Sequence, residues 1–106
     1  MDPVEAQLEA YNAHDLERFV VCYAEDVVVD DGKGNVLARG HAGLRVRYTP
    51  RFTEHPNLHC HIVHRARVGE FVVDHERITG WKDEDVGLVA VYRVVGDRIV
   101  HVSLLL

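Results

Sequence analysis

Two hydrophobic periodicities divide the chain. In the first half, Val4, Leu8 and Tyr11 recur at helical spacing over Pro3 to Asn12, with a proline suited to the first turn and Glu5 placed to favour the helix dipole. The spacing predicts a first helix there. "HDLERFVVCYAED" repeats the pattern with Leu16, Phe19, Val20 and Tyr23 on one stripe and Asp15 as N-cap, which predicts a second, short helix. "VVVDDGKGNVLARG" reads as a valine strand, a turn and a brief return strand. Leu44, Tyr48 and Phe52 then predict a third helix from Gly40 to Phe52, ending near Pro50 or just beyond it. From Leu58 onward everything alternates: strands are expected at about 58–68, 71–80, 87–95 and 98–106, separated by "GE", "GWKDEDVG" and "GD". Helices first and a four-strand meander after them make an α+β fold, with the helices laid on one face of a curved antiparallel sheet.

The meander's first hairpin carries the candidate chemistry. If Gly69 and Glu70 form a type II′ turn, Val68 faces Phe71, Ala66 faces Val73, His64 faces His75, Ile62 faces Arg77 and Cys60 faces Thr79, all on one face. The other face carries His59, His61, Val63, Arg65 and Arg67 against Val72, Asp74, Glu76 and Ile78, with Arg65 directly across from Asp74. Charge pairs of that kind belong in or near solvent. The first face is therefore expected to line the interior, apolar near the turn and polar at His64, His75 and Arg77, as the wall of a small-molecule pocket would be. The assignment rests on the turn; a slip of one residue would bring Asp74 and Glu76 inside instead.

Length and charge narrow the partners. With 106 residues there is room for one domain and one modest core. The 12 basic residues are scattered against 17 acidic ones, for a net charge of −5, so a nucleic-acid surface is not expected. No apolar stretch approaches the roughly 18 residues of a membrane span. Cys22 and Cys60 have no framework spacing and the N-terminus carries no apolar run, which points to a reduced, cytoplasmic protein.

Other features have a chemical reading and a structural one. Four histidines in "HPNLHCHIVH" invite a metal, but strand parity sends His59 and His61 to one face and His64 to the other, leaving at most a two-histidine site with Glu76. "DDGKGN" lacks the closing glutamate and flanking helices of a calcium loop. No metal and no cofactor are expected. Tyr11, Tyr23, Tyr48, Phe52 and Tyr92 are core aromatics that can also touch a ligand, Trp81 is a loop anchor or a lid over the pocket, and Cys60 is a buried, inert thiol.

"YNAHDLERFVVCYAEDVVVDD", "LARGHAGLRVRY", "FVVDHERITG" and "AVYRVVGDRIVHV" together resemble the nuclear transport factor 2-like superfamily, closest to its SnoaL-like and ketosteroid-isomerase-like members. The resemblance covers nearly the whole chain. It implies a cone-shaped α+β barrel with a strongly curved sheet around three helices, a pocket inside, and a homodimer through the outer face of the sheet. It also implies a catalytic base at Asp31, for which the residues alone equally allow a turn cap. The positions of the isomerases' two oxyanion donors fall on Gln7 and Ala90, and neither residue is such a donor. "ERIT" sets Arg77 where related epoxide-opening enzymes have an arginine, with Thr79 and Leu104 in place of their acids. Two functions are therefore expected: cofactor-free proton transfer on a small, largely apolar carbonyl compound, with Asp31 as base and His64, His75 or Arg77 stabilising charge, or a non-catalytic small-ligand or dimer module.

Overall fold

The computed structural model describes residues 1–106. Helix α1 spans Pro3–Asn12, where Asp2 caps it by accepting from the amides of Val4 and Glu5. Helix α2 is a single turn or so, Leu16–Val20, capped as its sequence requires by Asp15. Tyr23 does not extend the α2 stripe. The helix stops at Val20 and Tyr23 opens strand β1, Tyr23–Asp30, because the β-branched run that follows packs better in a sheet than in a helix. Strand β2, Val36–Arg39, returns after the Asp-Gly turn.

Helix α3, Gly40–Glu54, runs past Pro50 rather than ending at it. The amide missing at Pro50 would have met the carbonyl of Val46, a residue that is well exposed, so water can take its place. Gly40 has φ +63°, and a Cβ there would lie 2.9 Å from the carbonyl oxygen of Glu25; only glycine lets α3 begin so close to β1.

The meander follows as β3 (His59–Val68), β4 (Phe71–Thr79), β5 (Val86–Val95) and β6 (Arg98–Leu105). Gly69 has φ +58° and Glu70 does not share the positive φ, as a type II′ turn demands. The six strands form one sheet in the order β2-β1-β6-β5-β4-β3. The sheet is mixed, because β1 lies parallel to β6. It stays open, with β2 and β3 as its edges. Irregularities in the β1–β2, β1–β6, β3–β4 and β5–β6 ladders bend it, and α1 packs against β3 and β6 while α3 packs against β1 and β2. The core fills the concave side, led by Phe19, Leu44, Ile99 and Val27. No helix is long and apolar enough to cross a membrane.

The inner face of the hairpin is not the expected one. From the turn back to His64 the pairing is as expected, His64 facing His75 and Arg65 facing Asp74, but a bulge at Val63 then shifts the register, so that Ile62 meets Glu76 and Cys60 meets Ile78. On β4 the buried set is Val72, Asp74, Glu76 and Ile78. The bulge reverses parity along β3: Cys60 is buried as expected, whereas His64, Ala66 and Val68 point outward. The Arg65–Asp74 pair, expected near solvent, is instead inside the fold.

Candidate active site: a buried carboxyl in the wall of an apolar pocket

A cavity of about 260 Å³ lies between the concave sheet and helices α1 and α3, and 15 of its 20 lining residues are hydrophobic. That volume falls below the roughly 300–1,000 Å³ of drug-sized sites, so it suits a one- or two-ring molecule. The most buried charged residue of the lining is Glu76, only 5% exposed, which β4 presents beside the apolar side chains of Ile78 and Leu88.

A hydrogen-bonded chain ends on this carboxyl. The Tyr23 hydroxyl donates to Gln7 Oε1 (3.0 Å), Gln7 Nε2 donates to the Tyr92 hydroxyl (3.3 Å), and the Tyr92 hydroxyl donates to Glu76 Oε2 (3.2 Å). Gln7 Nε2 also bonds the Val4 carbonyl, which fixes which way the amide faces. Every donor in the chain points toward Glu76, the terminal acceptor.

Burial pushes the Glu76 carboxyl up to about 7, with the charge of Asp74 adding to the rise and the hydrogen bond from Tyr92 opposing it. At neutral pH it can therefore either take or give a proton. The Tyr23 and Tyr92 hydroxyls are pushed well up by burial and stay protonated. Cys60 lines the same cavity, and burial followed by the nearby Glu76 charge raises its thiol, so it stays an unreactive S–H.

Asp74 lies behind Glu76 and is fully buried. It accepts both arms of Arg65, at 2.6 Å from Nε and 2.9 Å from the second terminal nitrogen, and Arg65 reaches Glu5 of α1 with its remaining arm. The ion pair is structural: it ties β3, β4 and α1 together and sets a fixed negative charge near Glu76.

The expected site residues divide sharply. Tyr11, Tyr48, Tyr92, Trp81 and Asp31 line the cavity; Phe52 does not, being packed against Tyr11 and Phe19 in the core. His64, His75 and Arg77 are exposed on the outer face, where Arg77 pairs with Asp85, so the expected polar interior at those three positions does not exist. Asp31 sits at the rim with both oxygens engaged: Oδ1 accepts from the Lys33 and Asn35 amides and Oδ2 from the Asn35 side chain. Those bonds, the Asn35 side chain foremost, hold its carboxyl below the usual range, which makes it a turn cap and a poor base.

No cluster of three or more histidine, cysteine, aspartate or glutamate side chains could hold a metal. Glu76 faces inward, away from His59 and His61, so the two-histidine site is not formed. The isomerase donor positions are also occupied structurally, Gln7 by its bonds to Val4, Tyr23 and Tyr92 and Ala90 by full burial.

The chain matches the model of the SnoaL-like domain over residues 4–102. Among solved structures it is similar to an uncharacterised cystatin-fold protein of Novosphingobium aromaticivorans, with 28% identity, 98% of this chain and 97% of that one covered, and a TM-score of 0.89. A protein of Sinorhizobium meliloti provisionally assigned as a polyketide cyclase shares the fold at 16% identity, with coverage of 96% and 92% and a TM-score of 0.82. So does a protein of Catenulispora acidiphila with a ketosteroid isomerase-like fold, solved with trimethylamine, at 17% identity, coverage of 96% and 82%, and a TM-score of 0.74. No curated protein matches the chain.

Proposed function

The chain belongs to the SnoaL-like domain family, and from that premise we propose that it moves a proton on a small, largely apolar carbonyl compound held in the internal pocket, with Glu76 as acid and base. The observation that carries this reading is the buried Glu76 carboxyl in the wall of an apolar cavity, where burial raises it to about 7. An ionised Glu76 would take the proton α to the carbonyl, and the carboxylic acid so formed would return it at the conjugate position. The Tyr11 hydroxyl, buried in the lining with no partner, is the free donor for the enolate oxygen. The chemistry needs no cofactor.

Proton exchange tests it. Cyclohex-2-enone and small aryl ketones incubated with the protein in D2O should exchange α-protons faster than in buffer, as followed by proton NMR, and Glu76→Gln should return the rate to background. A ketone that binds but exchanges only at the buffer rate would contradict the reading and leave the pocket as a binding site. The occupied Gln7 and Ala90 positions are what favour that second, non-catalytic reading.

The outer face of the sheet supports a homodimer, since Val63, Val68, Phe71 and Leu105 stay exposed there around His64 and His75. Sedimentation should return twice the chain mass, and a monomer at micromolar concentration would rule the dimer out. The free, buried thiols of Cys22 and Cys60 favour a cytoplasmic setting.

A further inference from the structure

We propose that the compound bound in this pocket is a carboxylic acid, its carboxylate held on the α3 side by Arg47 and Arg51 while its apolar body extends toward Glu76. The inference rests on the pocket reading above and names the class of molecule it serves.

Arg45, Arg65, Arg67, Arg77, Arg93 and Arg98 each meet a carboxylate. Arg18, Arg39, Arg47 and Arg51 meet none, and of these four only Arg47 and Arg51 line the cavity. They stand four residues apart on α3, where two like charges repel and weaken the helix. Their placement is therefore unfavourable without an anion.

Aromatic rings hold both guanidiniums in position. Arg51 lies 3.7 Å from the centroid of the Trp81 ring and 5.3 Å from that of Tyr48, and Arg47 is 5.7 Å from the same Tyr48 ring. A guanidinium held over a ring still has N–H groups to present to a carboxylate. Two buried polar atoms have no hydrogen-bond partner, Arg47 Nε and the Tyr11 hydroxyl, and both belong to residues of the cavity wall. Burial pushes the Tyr11 phenol well up, and Arg51 is close enough to oppose that rise. Two cations and the orphaned Arg47 Nε thus stand on the α3 side of an otherwise apolar space, with Tyr11 on α1 left as the donor for the carbonyl oxygen.

The negative groups nearby do not cancel them. Asp31 is spent on its own turn, and Glu76 belongs to β4 rather than α3, with a carboxyl that burial already inclines to the neutral acid. With most of the wall apolar, the expected ligand has one charged end and a greasy body, as an aryl or short-chain keto acid does.

Matched probes test the proposal on the full chain. trans-Cinnamate and 3-phenylpropanoate, each against its carboxamide, are titrated by NMR through the Trp81 indole N–H. The acids should bind at least tenfold more tightly than the amides at low salt, and raising salt from about 20 to 200 mM should weaken the acids alone. Arg47→Gln and Arg51→Gln should each cost the acids about tenfold and leave the amides unchanged. Acids and amides binding alike, with no salt dependence, would overturn the carboxylate assignment, and the salt comparison stands even where an arginine variant fails to fold. If cyclohex-2-enone binds and exchanges while the acids do not bind, the acid class falls and the proton-transfer reading survives. If acids, amides and enones all fail to bind, both fall.

Discussion

Truncating Asp74 to alanine should cost about 3–5 kcal/mol of folding stability, because it leaves Arg65 largely buried with its main counter-charge gone. Asp74 is fully buried, the Arg65 side chain is 16% exposed, and the two make a bidentate contact at 2.6 and 2.9 Å. Glu5 can hold only one arm of the orphaned guanidinium and is itself half exposed. For a domain whose total stability is on the order of 5–15 kcal/mol, such a loss is severe. By contrast, the exposed Arg45–Glu17 pair should contribute little, since solvent screens it. Urea denaturation of Asp74→Ala and Glu17→Ala measures both. A loss below 1 kcal/mol for Asp74→Ala would mean that the pair is solvated and the hairpin's inner face is not the one described. Replacing Arg65 and Asp74 together by apolar residues of similar size should recover most of the loss, since the penalty comes from the unpaired charge.

Glu76→Gln should change the pH dependence of stability by about 3 kcal/mol. In the folded protein the carboxyl is raised from 4.5 to about 7, so folding binds a proton more tightly than the unfolded chain does. A raised carboxyl contributes its stability fully below about 4.5, and that contribution is lost as pH rises through about 7. The gap corresponds to about 3 kcal/mol. The carboxyls held low by local bonds, Asp30 and Asp31 among them, act in the opposite sense at acid pH and are common to both proteins. Subtracting wild type from Glu76→Gln at each pH therefore isolates Glu76. The variant should gain relative to wild type between pH 4.5 and 8; a difference that stays flat across that range would contradict a buried, neutral-prone Glu76.

The sheet was legible because its turns announce themselves. Gly69-Glu70 and Gly96-Asp97 each put a glycine where φ must be positive, and from there alternation sets strand lengths to within a residue or two. The family resemblance likewise rests on the spacing of elements, which the fold preserves. The inner face was not legible from the hairpin alone. Both faces of β4 mix apolar and charged residues, Val72, Asp74, Glu76 and Ile78 against Phe71, Val73, His75 and Arg77, and the rule that acids face water favoured the wrong one. The bulge at Val63 compounded the error, since Cys60 and Ile62 do face inward while His64 does not.

A signal on β5 could have decided it. Gly87 and Arg93 share one face of that strand, so Leu88, Ala90 and Tyr92 form its buried set, and the β4–β5 ladder pairs these with Glu76, Asp74 and Val72. Carrying the face across that ladder, rather than judging the first hairpin by charge, puts both acids inside. What buries them is the Arg65 pairing and the chain from Tyr23 through Gln7 and Tyr92, contacts between elements distant in sequence that alternation does not encode.

The most direct test of the central claim is the pH titration of the Glu76 side-chain carboxyl carbon by 13C NMR, in wild type and in Tyr92→Phe. The midpoint should fall at about 7, and loss of the Tyr92 hydrogen bond should move it higher. A midpoint at the ordinary value near 4.5, indifferent to Tyr92, would place Glu76 in water and remove the acid and base on which the proposed chemistry depends.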